Sequence, residues 1–251
     1  MKKTLIIIFA ALAALTSCKQ DDTLQYNNIT MGNVVNGTFT SDNGNIFNVV
    51  EKTCTENLES MTRAIIACDI LRKVDGTDNV YDIRLNQAAS VLTKAPVKKT
   101  VADADEEMSV NDPITMDSAW ISGGYVNMYA IVEVKTLASM QKHLVNLVLD
   151  EKESEPGKYV FYLRHNSYGE SVSHNATGIS LAGNYVSFPI NDLIKEDSAD
   201  ITIKWKWYKS AGDGWSSETQ EYSYNLSYTK GGFEHFPLSS SLSSKTTDKL
   251  N

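Results

Sequence analysis

Polar and apolar residues along this chain alternate far more often than they recur at helical spacing. Ile201, Ile203, Trp205 and Trp207 are interleaved with Thr202, Lys204, Lys206 and Tyr208, and Tyr222, Tyr224, Leu226 and Tyr228 with Ser223, Asn225 and Ser227. A period of two places one set of side chains on each face of a strand, so both runs predict strands with one apolar and one wettable face. Trp205 and Trp207 fall on the apolar side and are expected in a core. Turn residues punctuate the pattern at Ser41-Asp42-Asn43-Gly44, Asp75-Gly76, Gly123-Gly124, Pro156-Gly157 and Gly212-Asp213-Gly214. Many short strands with regular breaks predict an all-β protein.

The pattern also divides the chain. Residues 32–97 read as a small β unit and residues 112–230 as a larger one. Between them, residues 98–111 carry the acidic run Ala-Asp-Ala-Asp-Glu-Glu, which is poor in β-formers and predicts a solvated linker. Residues 231–251 are Ser-rich and predict a disordered tail.

The N-terminus has a different texture. Lys2 and Lys3 precede an apolar run from Leu5 to Leu15 that stops at Leu15-Thr16-Ser17-Cys18. Such a run is shorter than the roughly 20 apolar residues a membrane-spanning helix needs, so residues 1–17 read as a secretory signal. The small-residue approach to a cysteine resembles a bacterial lipobox, which implies lipidation of Cys18. Residues 18–31 then form a lipidated tether. Because one acyl chain binds membranes only marginally, several chains on one cysteine are expected to supply the membrane contact.

Charge narrows the partners. The chain has 23 Lys and Arg against 31 Asp and Glu, a formal net charge of −8. Nucleic acid and anionic headgroups both call for clustered cations, so neither is an expected partner. A monomer without a cofactor is expected, with a protein or glycan partner.

Three constellations could carry chemistry. Cys54 and Cys68 would lie opposite each other if the strands around Asn48 and Ala67 formed a hairpin. A disulfide there, closing a loop of about 15 residues, would contribute about 3 kcal/mol; two buried thiols are the equal alternative. If the turn Glu151 to Gly157 joins two strands symmetrically, Val145 faces Leu163, Leu147 faces Phe161, Leu149 faces Tyr159 and His143 faces His165. Directly opposed Cβ atoms lie about 5 Å apart. The two imidazoles could therefore hold a metal with Glu170 or His174, or simply end an apolar stripe in hydrogen bonds. Lastly, Trp120 and Tyr125 lie on a hairpin and Trp215 in a Gly-rich loop; these are candidate partner-binding aromatics, the alternative for Trp215 being a plug for the end of the fold. The chain shows no Gly-rich phosphate loop, nucleophile elbow, paired-cysteine zinc spacing or His-Glu-x-x-His element, and no catalytic residue is assigned.

Several segments resemble a known family. Asp112 to Val126, Lys142 to Asp150, Tyr159 to Gly169 and Tyr185 to Phe188 are similar to the C-terminal β-sandwich domain of NigD-like lipoproteins. The Trp, Gly-Gly and Leu-Arg-His-Asn elements are the specific part. Thr62 to Leu71, Tyr81-Asp82-Ile83 and Leu92-Thr93-Lys94, with Arg63 and Lys94 in place, look like the family's N-terminal OB-like domain. The resemblance implies a small OB-like barrel followed by an antiparallel β-sandwich, in an envelope lipoprotein with a non-catalytic binding or protective role such as bacteriocin immunity. Lys19-Gln20-Asp21-Asp22 resembles a surface-export signal and implies the outer membrane with exposure at the cell surface, the alternative being a generic polar tether on a periplasm-facing lipoprotein. A pilin-like adhesin subunit is the alternative, a small metal hydrolase around His143 and His165 the third. Against the adhesin stands Arg63, the first Arg after Cys18, which falls inside an expected strand rather than in a cleavable loop.

Overall fold

Five strands close into a barrel and nine more form a two-sheet sandwich beside it. The computed structural model describes residues 28–135, 142–170, 179–211 and 214–233. The barrel strands are β1 (Asn28–Val35), β2 (Thr38–Ser41), β3 (Ile46–Lys52), β4 (Arg63–Lys73) and β5 (Val80–Ser90), in the closed order β1-β2-β3-β5-β4. β3 and β5 run parallel and every other barrel pair is antiparallel, which makes this the OB-like barrel. Its interior is filled by the alternate residues Phe39, Phe47, Ile66, Ile83 and Leu85, with Phe39 and Phe47 stacked at 5.9 Å. Leu58, on a 3-10 turn at Leu58–Ser60 capped by Asn57, plugs the barrel at 5% exposure, a burial worth about 2 kcal/mol. At Gly32, β1 pairs with both β2 and β4, and a Cβ there would lie 2.2 Å from the carbonyl oxygen of Thr40. Only glycine permits that approach.

The sandwich begins earlier than its composition suggests. β6 (Leu92–Thr93) and β7 (Val97–Lys98) already pair with sandwich strands. Two short helices follow, α1 (Lys99–Ala104) and α2 (Glu106–Ser109), then β8 (Thr115–Ser122), β9 (Tyr125–Val134), β10 (Leu144–Leu149), β11 (Lys158–Asn166), β12 (Ser180–Pro189), β13 (Ser198–Ala211) and β14 (Gly214–Thr229). One sheet has the order β6-β12-β9-β8, the other β14-β13-β11-β10-β7. Most pairs are antiparallel, but β6 with β12, β7 with β10, and β11 with β13 are parallel. Between the sheets lie Val126, Met128, Ala130 and Val132 of β9 against Leu147, Phe161, Leu163, Ile201 and Ile203. Trp207 is buried; Trp205 is half-buried against this core and stacked on Tyr222.

Three expected boundaries change. β1 starts at Asn28, so the last residues assigned to the tether belong to the barrel. Residues 98–111 are mostly exposed but carry two short helices in contact with the sandwich: Arg164 donates to Asp103 Oδ1 at 2.9 Å and to the Met108 carbonyl at 3.2 Å, and Lys99 pairs with Asp150 at 2.6 Å. Two ion pairs tie α1, and a hydrogen bond to a backbone carbonyl ties α2, to the second sheet. Phe233 makes a bridge to Ser122, so the expected tail is ordered as far as that residue; residues beyond it lie outside the described ones.

Candidate functional site: an interdomain joint and a histidine relay

Barrel and sandwich meet around Arg63, the first residue of β4, which is 1% exposed. Its guanidinium clasps Asp42 from the β2–β3 turn, Nη1 to Oδ1 at 2.8 Å and Nη2 to Oδ2 at 2.7 Å. Nη1 also donates to Asn33 Oδ1 at 3.0 Å. From the sandwich, Ser187 Oγ and Asn127 Oδ1 accept from Nε and Nη2, each at 2.9 Å, and the Tyr125 ring lies 3.9 Å beneath the charge. Ser122 Oγ donates to Asp42 at 2.6 Å, and Ser187 Oγ to Asn127 at 2.7 Å. All five N–H directions of a guanidinium are thus used, the condition under which a buried charge is tolerated. Gly123, at φ 58°, packs so close that a Cβ would sit 2.5 Å from Asp42 Oδ1. An apolar cluster flanks the polar one: Met31 and Ile65 of the barrel against Trp120, Tyr185 and Val91.

Trp120 and Tyr125, expected on a partner-binding hairpin, therefore face the barrel. Trp120 is 3% exposed and edge-on to Tyr185; Tyr125 is half-buried under Arg63. The aromatic face that looked solvent-accessible is where the second domain docks. Trp215 is described by its backbone alone, which pairs with Ser210 near the tip of the β13–β14 hairpin. Cys18 and His174 lie outside the described residues.

The hairpin of β10 and β11 forms as expected, but with its register shifted by two: Val145 faces His165, Leu147 faces Leu163 and Leu149 faces Phe161. A shift of two keeps the same face inward. His143 is therefore diagonal to His165, not opposite, yet its Nδ1 lies 2.9 Å from His165 Nε2. Outward from this contact, His143 Nε2 meets Glu170 Oε2 at 3.2 Å and His165 Nδ1 meets the Pro113 carbonyl at 2.9 Å. Burial first, and the neighbouring His143 second, push the His165 imidazole down to about 4. Each ring nitrogen already has a partner, and Glu170 approaches the far side of His143, so the donors run in a line instead of converging on a point. Among the described residues no three His, Cys, Asp or Glu side chains group around a common metal position.

Cys54 and Cys68 remain thiols. The expected hairpin is replaced by a parallel pairing of β3 with β5, so β5 separates the strand leading to Cys54 from β4, which carries Cys68. Strands two apart are about 9–10 Å apart, beyond the usual Cα separation of a disulfide. Burial, helped by Asp69, pushes the Cys68 thiol up to about 12.

Sequence reading did not find a groove of about 460 Å³ on the outer face of the second sheet, lined by Glu153, Lys158, Asp200, Thr202, Asn225 and Ser227. Alternation marked Thr202, Asn225 and Ser227 as wettable but gave no sign that Glu153, Lys158 and Asp200 join them.

Residues 95–222 match the model of the NigD-like C-terminal beta sandwich domain, just over half of the chain. The chain belongs to the NigD-like family. The fold recurs in solved structures. A protein of unknown function from Bacteroides vulgatus superposes with a TM-score of 0.57 at 21% identity, covering 89% of this chain and 99% of the other. A NigD-like immunity protein from Bacteroides caccae gives 0.54 at 17% identity, covering 80% and 96%. A candidate lipoprotein from Bacteroides fragilis gives 0.57 at 16%, covering 81% and 98%. At these identities the likeness establishes the architecture of this NigD-like protein, including its barrel, and not its activity. No curated protein matches the chain.

Proposed function

We propose that this NigD-like protein is a lipid-anchored envelope protein that binds a protein or glycan partner in a protective role and catalyses no reaction. The observation that carries the reading is the Arg63 joint: seven side chains from both domains, with the charges at 1% and 2% exposure, make barrel and sandwich one stiff body. Stiffness of this kind suits a scaffold that presents a surface at low entropic cost. The surface is the β13–β14 hairpin, with Trp215 near its tip and the polar groove at the opposite end of the same strands. The likeness to a NigD-like immunity protein supports the protective role.

Cys18 is the anchor, the outer membrane the location and the cell surface the face presented, a reading supported by the N-terminal run and by the acidic residues after Cys18. Burial of Arg63 favours this reading over a pilin-like subunit activated by cleavage at that Arg, because a protease would have to unfold β4 to reach it.

The experiment is crosslinking of the full-length lipoprotein on intact cells, followed by purification, with Trp215→Ala alongside. One envelope protein or glycan enriched with the wild type and lost with the variant is the expected result. Equal recovery from both would remove the hairpin tip from the proposal. Survival of producing and deleted cells challenged with culture fluid of related bacteria tests the protective role, and equal killing would end it.

A further inference from the structure

The hydrogen bonds around His143 and His165 constrain their protons, and a neutral His165 leaves one arrangement across the pair. Pro113 presents a carbonyl oxygen to His165 Nδ1 at 2.9 Å, so that nitrogen carries a proton and donates. In a neutral ring the other nitrogen, Nε2, is then an acceptor, and His143 donates to it from Nδ1 across 2.9 Å. The contact of 3.2 Å between His143 Nε2 and Glu170 Oε2 needs a proton of its own, held between the ring and the carboxyl group. The rings are 0% and 2% exposed, so solvent offers little substitute for a missing partner.

We propose that this relay is an acid-sensitive latch that ties the 167–170 turn to the end of the sandwich. A proton arriving at His165 Nε2 turns the acceptor into a donor. With the His143 Nδ1 proton retained, two N–H groups would then face each other across a buried 2.9 Å gap, and the rings part. Glu170 moves with His143, and the turn before it is released. Tyr168 in that turn already has φ 51°, a conformation non-glycine residues hold only when their surroundings enforce it.

The charged groups facing the pair are Asp112, Glu170 and Lys142, and of these Asp112 favours a protonated His165, a pull that burial and His143 outweigh. Asp112, beside His165, accepts from the backbone N–H of Ser167 at 2.9 Å and from Ser167 Oγ at 2.5 Å, a second tie on the same turn. Glu170 faces His143 from the turn itself, and Lys142 next to it is exposed. The neighbours that share the inward face of β10 and β11, Val145 and Leu163, are apolar. The depressed titration of His165 agrees with a neutral ring that resists protonation until acid forces it.

The test is nitrogen-15 imidazole NMR on the exported protein, with amide hydrogen exchange measured over the same pH range. Near pH 6.5, His165 should carry one proton, on Nδ1, with its Nε2 accepting from His143 Nδ1. As the pH falls towards about 4, exchange at residues 165–170 should rise roughly tenfold or more while β1–β5 stay protected. His165 protonated on Nε2 near neutrality, or titrating in the ordinary imidazole range, would overturn the proposal. So would loss of barrel protection at the same pH, since acid would then be unfolding the whole chain. Glu170→Gln sits at a partly exposed position and should leave His143 with a single proton; a doubly protonated His143 in that variant would refute the sharing with Glu170.

Discussion

Arg63 and Asp42 meet in a two-pronged ion pair with both side chains withdrawn from water, at the point where barrel and sandwich touch. Both belong to the barrel, but Ser122, Asn127 and Ser187 complete their hydrogen bonds from the other side, so the pair is satisfied only when the domains are joined. Truncating Arg63 leaves a buried carboxylate unpaired. Arg63→Ala is therefore expected to cost about 3–5 kcal/mol in urea unfolding and to expose the 90–95 connection to proteases. Arg63→Lys should recover less than half of that, because one ammonium cannot reproduce the fork. A loss below about 1 kcal/mol in Arg63→Ala would show that the joint does not hold the domains together.

His165 makes stability depend on pH. Unfolded, the imidazole takes its proton near 6.5; folded, it resists until about 4. Between those values the unfolded chain binds more protons, so stability falls with acid at up to about 1.4 kcal/mol per pH unit, and the contribution is flat above about 6.5. Urea midpoints of the wild type and His165→Gln, compared at about pH 4.5, 5.5 and 7, should diverge in slope within this window. Parallel curves would show that His165 titrates alike in both states.

The fold was legible wherever one face of a strand is wet. The runs at Ile201 to Trp207 and Tyr222 to Tyr228 alternate cleanly, and they form the β13–β14 hairpin with Ile201 opposite Leu226. The β10–β11 hairpin was legible in face but not in register. Its turn is asymmetric: Ser154 Oγ bonds both the Asp150 carbonyl and the Val160 amide, and Glu155 pairs with Lys158. The joint could not be read. Ser122, Asn127 and Ser187 occupy outward positions on their strands, where a polar residue reads as solvated; they are buried by the docking of a domain far away in sequence. Arg63 suffers the same ambiguity, and so do Lys99 and the acidic run after it, whose respective partners Asp150 and Arg164 lie some 50 to 60 residues downstream.

The two thiols should behave differently although neither forms a bridge. Cys54 is partly exposed at the mouth of the barrel, whereas Cys68 points into its core and is held protonated by burial. Burial and Glu56 push the Cys54 thiol up as well, so alkylation of the native exported protein should modify Cys54 slowly, through its exposed side, and Cys68 only after denaturant, since the thiolate is the reactive form. An intact mass two units lower before reduction than after it would instead reveal a disulfide and a barrel rearranged around β5.

Helices α1 and α2 rest on the sandwich through contacts of unequal depth, and the difference can be measured. Arg164 reaches Asp103 and the Met108 carbonyl near the surface, where Asp103 is half exposed. Asp150, with its side chain 1% exposed, accepts from Lys99 and from the backbone amides of Lys152 and Glu153. Burial pushes the Asp150 carboxyl up, but Lys99 and the two amides outweigh it and hold the group below the usual carboxylate range. Its contribution is therefore present at neutral pH and fades as the pH drops through that lowered value. Arg164→Ala should cost under about 1 kcal/mol while speeding amide exchange across residues 99–109. Asp150→Ala, which leaves the turn amides and Lys99 without their acceptor, should cost about 1–3 kcal/mol, and the penalty should shrink in acid. Equal penalties for the two variants would mean that the surface contact, not the buried one, sets the position of the helices.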